Sequence, residues 1–193
     1  MEDLDPRRTR ILDAALEEFE EVGITKARVE AIAKRAGIGR ATLYRTFDDK
    51  DAVVAAVLAR KVDESLAMLD EVMRRHDRVE DRMVEGFVTM LGAFREDVLL
   101  QRLLAVEPES VTPWLTVNGG PMIRVASDYL AKMLRSAELE ISVDVDLDVV
   151  AEMAVRIVHS LYSTPQGLIA QDEEGSRDFA RRYMVDILFP PKT

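Results

Sequence analysis

Apolar residues recur with helical spacing along almost the whole chain, every three or four positions. The first apolar stripe follows Pro6 and ends at Gly23, so it predicts a helix over about 7–22. The longest stripe begins after Asp48 and Asp49, where an N-cap is expected, and predicts a helix over roughly 49–75. No convincing β-hairpin signal interrupts the pattern. The fold class that it predicts is all-α.

Two short helices separated by a tight turn are predicted between the first helix and the long one. Ala33 lies four residues before Gly37, and Leu43 lies six residues after it. A small residue at Ala33 lets the two helices approach closely, Gly37 can take the left-handed conformation of a helix end, and Leu43 anchors the following helix. We therefore predict a helix-turn-helix, with its last helix over about 40–47.

The remainder of the chain predicts five more helices, near 79–95, 97–106, 121–137, 147–170 and 173–188. Proline and glycine mark the breaks between them, at Pro108, at Pro113, at 118–121 and at 165–167, where the helix either kinks or ends. About nine helices result. We expect a first domain over 1–50, joined by the long fourth helix to a helical domain over 51–193.

The charges divide the chain into a small basic segment and an acidic body. The 193 residues carry 36 acidic and 26 basic side chains, a net charge of -10. Residues 22–50 nevertheless hold seven basic side chains against three acidic ones. Because a net negative protein repels nucleic acid unless positive charge is concentrated locally, this segment is the candidate anion-binding module.

Composition excludes several classes of function. The chain has no cysteine and only two histidines, which excludes disulfides, thiolate nucleophiles and cysteine-ligated zinc. Asp144, Asp146 and Asp148 alternate as in a calcium loop, but Val149 stands where that loop requires glycine. We expect no cofactor, no bound metal, no catalytic residues and no enzymatic activity. The acidic start and the short apolar runs predict no signal peptide and no membrane span, hence a cytoplasmic protein.

The outer face of the third helix carries the candidate chemistry. With Leu43 and Phe47 facing the core, that face presents arginine, threonine and tyrosine side chains, which can hydrogen-bond bases and phosphates in a major groove. Two other interpretations stay open: a solvated basic face, and a helical protein-interaction module without DNA binding. Glu107 and Glu109, which flank Pro108, fit either a solvated loop or a contact with a cation.

The stretch from Gly23 to Lys50, GITKARVEAIAKRAGIGRATLYRTFDDK, resembles the N-terminal domain of TetR-type transcriptional regulators. It departs from the family pattern at Gly39, where serine is frequent, and at Thr46, where an aromatic residue or histidine is frequent. The resemblance implies a homodimeric, ligand-responsive regulator, favoured as a repressor, that binds a palindromic operator. It implies base contacts by Arg40, Ala41, Thr42 and Arg45 and phosphate contacts by Tyr44 and Lys50, and Thr25 and Arg28 are included among the DNA-binding residues.

The last two predicted helices are the candidate dimer interface. The helix over 147–170 is apolar nearly all round, and the helix over 173–188 has one broad apolar seam. The alternative is that both helices only close the core of the monomer. The predicted interface residues are Val150, Ala154, Val158, Leu161, Phe179, Tyr183, Met184 and Ile187.

The resemblance also implies a small-molecule effector bound in the C-terminal domain. Aromatic and methionine side chains of the middle helices suit an adaptable apolar cavity for an apolar or amphipathic effector, although such residues at helical spacing are more often ordinary core. The candidates are Phe87, Met90, Phe94, Trp114, Met122, Tyr129, Met153, Ile157 and Tyr162.

Overall fold

The computed structural model describes residues 5–136, 146–169 and 172–185, and every regular element in these ranges is helical. This confirms the all-α prediction. None of the described helices is both long enough and apolar enough to cross a bilayer. The elements are α1 (Pro6–Val22), α2 (Val29–Arg35), α3 (Arg40–Thr46), α4 (Lys50–Met73), α5 (Val79–Glu96), α6 (Val98–Val106), α7 (Pro108–Leu115), α8 (Gly120–Ser136), α9 (Leu147–Ser163) and α10 (Glu173–Ala180), which continues into a π-helical turn (Arg181–Val185).

Aspartate side chains cap five of the ten described helices at their starts. Asp5 accepts a hydrogen bond from the Arg7 amide at 3.0 Å, and Pro6 takes the first helical position, where a missing N–H is no loss. Asp49 accepts from the Ala52 amide at 2.7 Å, as its predicted N-cap position requires. Asp97, Asp146 and Asp172 cap α6, α9 and α10 in the same way, whereas Asp144 lies outside the described residues.

The structure corrects the prediction at the proline-containing segments. The chain after Glu107 was expected to be broken at Pro108 and Pro113, but it forms α7. Pro108 occupies the first position of that helix, and Pro113 lies near its end, so few helical hydrogen bonds are lost. Helix α9 ends at Ser163, before Pro165, and so the expected helix over 147–170 is shorter than predicted.

The described chain forms two compact units. The first comprises residues up to Lys61 together with Asp97–Trp114. In it α1 packs against α2 and α6, and α2 packs against α3. Phe19, Ile32, Leu43, Val57 and Leu103 are among its buried side chains. The division into functional domains over 1–50 and 51–193 stays a prediction. The first compact unit extends beyond residue 50 and includes α6.

The second unit comprises Val62–Glu96 and the chain from Leu115 onward. In it α8 packs against α9, and α5 packs against both α9 and α10. Its apolar core includes Val84, Phe87, Leu134, Ala151 and Ala180. Arg177 of α10 donates two hydrogen bonds to the Glu85 carboxylate of α5, at 3.0 and 2.8 Å, which ties these two helices together.

Candidate DNA-binding site

The turn between α2 and α3 has the geometry that the sequence predicts. Gly37 has a φ of +67°, in the left-handed region that favours glycine. The Ile38 amide donates to the Ala33 carbonyl oxygen at 2.9 Å and the Gly37 amide donates to that of Lys34 at 3.1 Å, which closes the C-terminus of α2. Ala33 and Leu43 are buried. The two helices and their turn therefore form a helix-turn-helix.

The outer face of α3 is turned away from the core of the first unit. Leu43 and Phe47 are buried, whereas Arg40, Ala41 and Arg45 are exposed. Thr42 is half-buried, and Tyr44 is on the exposed side. Gly39 precedes α3 without a side-chain cap, and the helix nevertheless begins at Arg40. This exposed face can enter a groove and bring two guanidinium groups to base edges.

The Arg40 side chain is held above the face of α3. Its guanidinium lies 2.6 Å from a carboxylate oxygen of Glu30 on α2 and 5.4 Å from the centre of the Tyr44 ring. The side chains of Arg40 and Glu30 are 61% and 54% exposed. Because exposed ion pairs contribute at most about 1 kcal/mol, a base or a phosphate can replace Glu30 as the partner of Arg40 at small cost.

Lys50 holds the turn between α1 and α2. Its Nζ donates to the carbonyl oxygens of Ile24 at 2.8 Å, Thr25 at 3.3 Å and Ala27 at 3.3 Å. The resemblance implied a phosphate contact for this ammonium, which stays a prediction, and the structure gives it a role within the fold. Thr25 lies on the same turn and Arg28 immediately precedes α2, and both are exposed.

Not all the basic residues between 22 and 50 lie on the candidate DNA-binding surface. The Arg35 guanidinium lies 3.3, 3.1 and 2.6 Å from carboxylate oxygens of Glu17, Glu18 and Glu21 on α1. These carboxylates raise the pKa of Arg35, with Glu21 contributing most. Arg35 therefore joins α2 to α1, and the charge count along the sequence could not distinguish this internal role from an external one.

Glu107 is a further residue of this site that sequence reasoning missed. It was expected in a solvated loop or beside a cation, but its side chain is buried and its Oε2 accepts a hydrogen bond from the Thr25 amide at 2.7 Å. The two residues are 82 positions apart, so no local pattern could reveal the contact. Glu109, on the other side of Pro108, is exposed as expected of a solvated residue.

The structure places the candidate effector residues in different surroundings. Phe87 lies in the core of the second unit, and Ile157 packs against that core. Met153 is exposed, and Trp114 belongs to the first unit. Five candidates of the second unit are half-buried: Met90, Phe94, Met122, Tyr129 and Tyr162.

Two tyrosines of this half-buried set have hydroxyl groups with a raised pKa. The Tyr162 ring stacks on Phe94 with centroids 4.1 Å apart, and burial raises the pKa of Tyr162 to about 12. The Tyr129 hydroxyl donates to an Asp70 carboxylate oxygen at 3.0 Å, and burial together with this carboxylate raises its pKa to about 12. Both hydroxyls stay protonated at neutral pH and can serve as hydrogen-bond donors.

The predicted dimer residues divide into buried and exposed ones. Four of them, Val150, Ala154, Leu161 and Met184, lie in the core of the second unit, where α9 packs against α5 and α8 and the π-helical turn packs against α5. Val158 and Phe179 pack partly against it, and Ile187 lies outside the described residues. Tyr183 is 59% exposed, and the opposite side of α9 exposes Val149 and Met153 by 54% and 59%.

Comparison with known proteins gives two family matches and similar solved structures. Residues 11–57 match the family model of bacterial regulatory proteins of the tetR family, and residues 79–182 match that of the C-terminal domain of bacterial tetracyclin repressor. The transcriptional regulator UidR of Escherichia coli K12 is 28% identical over 159 residues, which cover 81% of this chain and 80% of UidR.

Two solved structures share the fold along nearly the whole chain. The TetR family repressor AlkX from Dietzia sp. strain DQ12-45-1b, implicated in biodegradation of n-alkanes, is similar with a TM-score of 0.73 at 23% identity, covering 94% of this chain and 96% of AlkX. GusR of Salmonella enterica is similar with a TM-score of 0.65 at 22% identity, covering 97% of each chain. With a helix-turn-helix at its N-terminus and both family matches along its length, the chain belongs to the TetR family of helix-turn-helix transcriptional regulators.

Proposed function

We propose that the protein is a homodimeric transcriptional repressor that binds a palindromic operator and is switched by a small apolar or amphipathic molecule. The observation that carries the proposal is the exposed face of α3, where Arg40, Ala41 and Arg45 project from a helix fixed by the Gly37 turn. Such a repressor works beside the chromosome, in the cytoplasm, and has no need of a catalytic residue.

Base recognition is assigned to the two arginines of α3. Arginine can donate two hydrogen bonds to the O6 and N7 atoms of guanine, and each such pair contributes about 1–3 kcal/mol of discrimination. Thr42 and Ala41 lie on the same helix and can contact the methyl group of thymine. Arg28, Tyr44 and the turn at Thr25 are assigned to the phosphates, which position the protein without reading sequence.

Dimerisation is assigned to the exposed apolar side chains of α9 and of the turn after α10. Val149, Met153 and Tyr183 are large apolar residues that the single chain leaves exposed. A homodimer formed through this surface would have two copies of α3 for the two halves of one operator. Half-sites one helical turn apart, about 34 Å, then follow from the geometry of helix-turn-helix dimers.

The effector is assigned to the half-buried residues of the second unit. Phe94 and Tyr162 offer stacked rings, and the Tyr162 hydroxyl, protonated at neutral pH, can donate a hydrogen bond. A mostly apolar surface with few polar groups suits an amphipathic molecule. An effector with higher affinity for the form that does not bind DNA would release the operator by shifting the population.

Selection of bound duplexes from a random DNA pool tests the proposal. We expect the wild-type protein to enrich a palindrome and the double variant R40A/R45A to enrich none. The matched control is R74A/R75A, which removes the same charge from exposed arginines at the end of α4. Enrichment of the same palindrome by R40A/R45A would contradict the assignment to α3, and no enrichment by the wild type would favour the protein-interaction module.

A further inference from the structure

We propose that Glu107 is a positioning residue for DNA binding, which holds the turn between α1 and α2 in the conformation that contacts the phosphates. The inference rests on the proposed function. It adds to the DNA-contacting surface a residue that lies 50 positions after the end of the matched helix-turn-helix region, residues 11–57. We call the turn of residues 23–27 and the Glu107 carboxylate that receives it the clasp.

The carboxylate and the turn are fitted to each other. Glu107 is 8% exposed, and its Oε2 accepts the Thr25 amide at 2.7 Å. A Cβ at position 23 would lie 1.5 Å from Glu107 Oε1, and Gly23 has a φ of +84°. Only glycine both adopts this positive φ readily and leaves free the space that the Glu107 carboxylate occupies. The backbone of the turn therefore packs directly against the carboxylate.

The turn is held from its other side by a cation. Lys50 Nζ donates to the carbonyl oxygens of Ile24, Thr25 and Ala27, whereas Glu107 accepts from an amide of the same turn. Hydrogen bonds to one cationic and one anionic side chain therefore fix the backbone of the turn. The turn leads directly into Arg28, whose carbonyl accepts the first helical hydrogen bonds of α2, and so it sets where Thr25 and Arg28 project.

Two further contacts bring the Glu107 segment to the same helices. Arg102 Nη1 donates to the carbonyl oxygen of Glu20 near the end of α1, where a positive charge also favours the helix dipole. Lys61 of α4 lies 2.7 Å from an Asp97 carboxylate oxygen at the start of α6. Residues 97–107 thus contact α1, the turn and α4 within the first unit.

The charged form of Glu107 is the one that the clasp uses. Burial, the largest single influence, raises the pKa of this carboxyl group, but hydrogen bonds from Thr25, Ser110 and Ile24 together outweigh it, and the net effect lowers the pKa. The carboxylate is therefore present at neutral pH. Since the chain reaches this segment from α5 and leaves it toward α8, a displacement of residues 97–114 would act on the clasp directly.

The test compares Glu107→Gln with Glu109→Gln in the full-length protein. The duplex recovered from the random pool is the probe, and amide hydrogen exchange of Thr25 reports the clasp. We expect Glu107→Gln to weaken duplex binding about tenfold, about 1.4 kcal/mol, and to accelerate Thr25 exchange, because a neutral amide is the weaker acceptor. Glu109→Gln removes the same charge from an exposed position two residues away and should change neither quantity.

A double-mutant cycle with Arg28→Ala separates positioning from general destabilisation. If Glu107 positions Arg28, the loss caused by Arg28→Ala should shrink severalfold in the Glu107→Gln background, whereas a purely structural role would leave the two losses additive. Glu107→Asp keeps the charge and should recover part of the affinity. If Glu107→Gln does not fold, Arg102→Gln serves in the same cycle, since it removes one contact of the same segment.

Three results would overturn the inference. Faster Thr25 exchange with unchanged duplex affinity would make the clasp a structural feature only, and additive losses in the cycle would do the same. A wild-type protein that binds no duplex would overturn the proposed function together with this inference. The exchange measurement, which needs no DNA, would still show whether the hydrogen bond of the clasp forms.

Discussion

At the scale of single residues, the two glycines with positive φ have different reasons for being glycine. Gly37 has a φ of +67°, and a Cβ added there would meet no atom within 4 Å. Gly23 combines a φ of +84° with a Cβ position already occupied by Glu107. The sequence predicted both positions as helix ends, but only the folded chain separates a conformational requirement from a steric one.

Replacing each glycine by alanine should distinguish these two requirements. We expect Gly37→Ala to lower the free energy of unfolding by about 1–2 kcal/mol, the usual cost of a left-handed conformation for a residue with a Cβ. Gly23→Ala should lower it by more, because Glu107 must also move. Urea unfolding of both variants measures the difference, and equal losses would contradict the close fit of Gly23 against Glu107.

Residue roles in the candidate site were only partly predictable. The α3 face followed from the alternation of buried Leu43 and Phe47 with polar neighbours, a local pattern. The contacts of Lys50 with backbone carbonyls and of Glu107 with Thr25 join parts of the chain that are distant in sequence. Such contacts depend on the tertiary fold, which local patterns do not contain.

At the scale of helices, the sequence predicted the presence of each helix better than its length. Apolar stripes and the proline and glycine breaks between them located α1, α4, α5, α6 and α8 to within a few residues. The segment with two prolines was expected to be broken and instead forms α7, because one proline starts the helix and the other lies near its end. Local helix propensity determines only weakly where a helix begins and ends, because tertiary packing often overrides it.

The Glu85 and Arg177 pair between α5 and α10 makes stability depend on pH. The Arg177 guanidinium, more than any other group, lowers the pKa of the Glu85 carboxyl. A carboxyl whose pKa is lower in the folded state contributes stability above its unfolded pKa and loses that contribution as the pH falls through its folded pKa.

We expect Glu85→Gln to lower the free energy of unfolding by about 1–3 kcal/mol at pH 7, the usual range for a hydrogen bond to a charged group. The difference in the free energy of unfolding between the variant and the wild type should shrink as the pH falls below about 4.3, the ordinary pKa of glutamate. Urea unfolding at several pH values measures it. A difference that stays constant down to pH 3 would show that the pair does not account for the loss.

At the scale of the whole molecule, we propose that the apolar surface of α9 forms the dimer interface. Helix α9 buries one side within the second unit and exposes Val149 and Met153 on the other, with Tyr183 also exposed in the turn after α10. The sequence showed that α9 was apolar nearly all round. It could not show which side the chain itself would cover.

Placing a charge on that surface should separate the subunits. We expect Met153→Asp to convert a dimer into a monomer while the single chain keeps its fold, because this side chain is exposed there. Val117→Asp, at another exposed valine, is the control and should leave the dimer intact. Sedimentation velocity at micromolar concentration measures the oligomeric state of both variants. A Met153→Asp protein that stays dimeric would place the interface elsewhere.

We propose above all that two copies of α3 read two halves of one palindrome. The most direct measurement is the affinity of the wild-type dimer for the palindrome recovered by selection and for the same duplex with one half-site scrambled. We expect the scrambled half-site to lower the affinity at least about a hundredfold, since several mismatched base pairs each cost about 1–3 kcal/mol. Equal affinity for the two duplexes would contradict it.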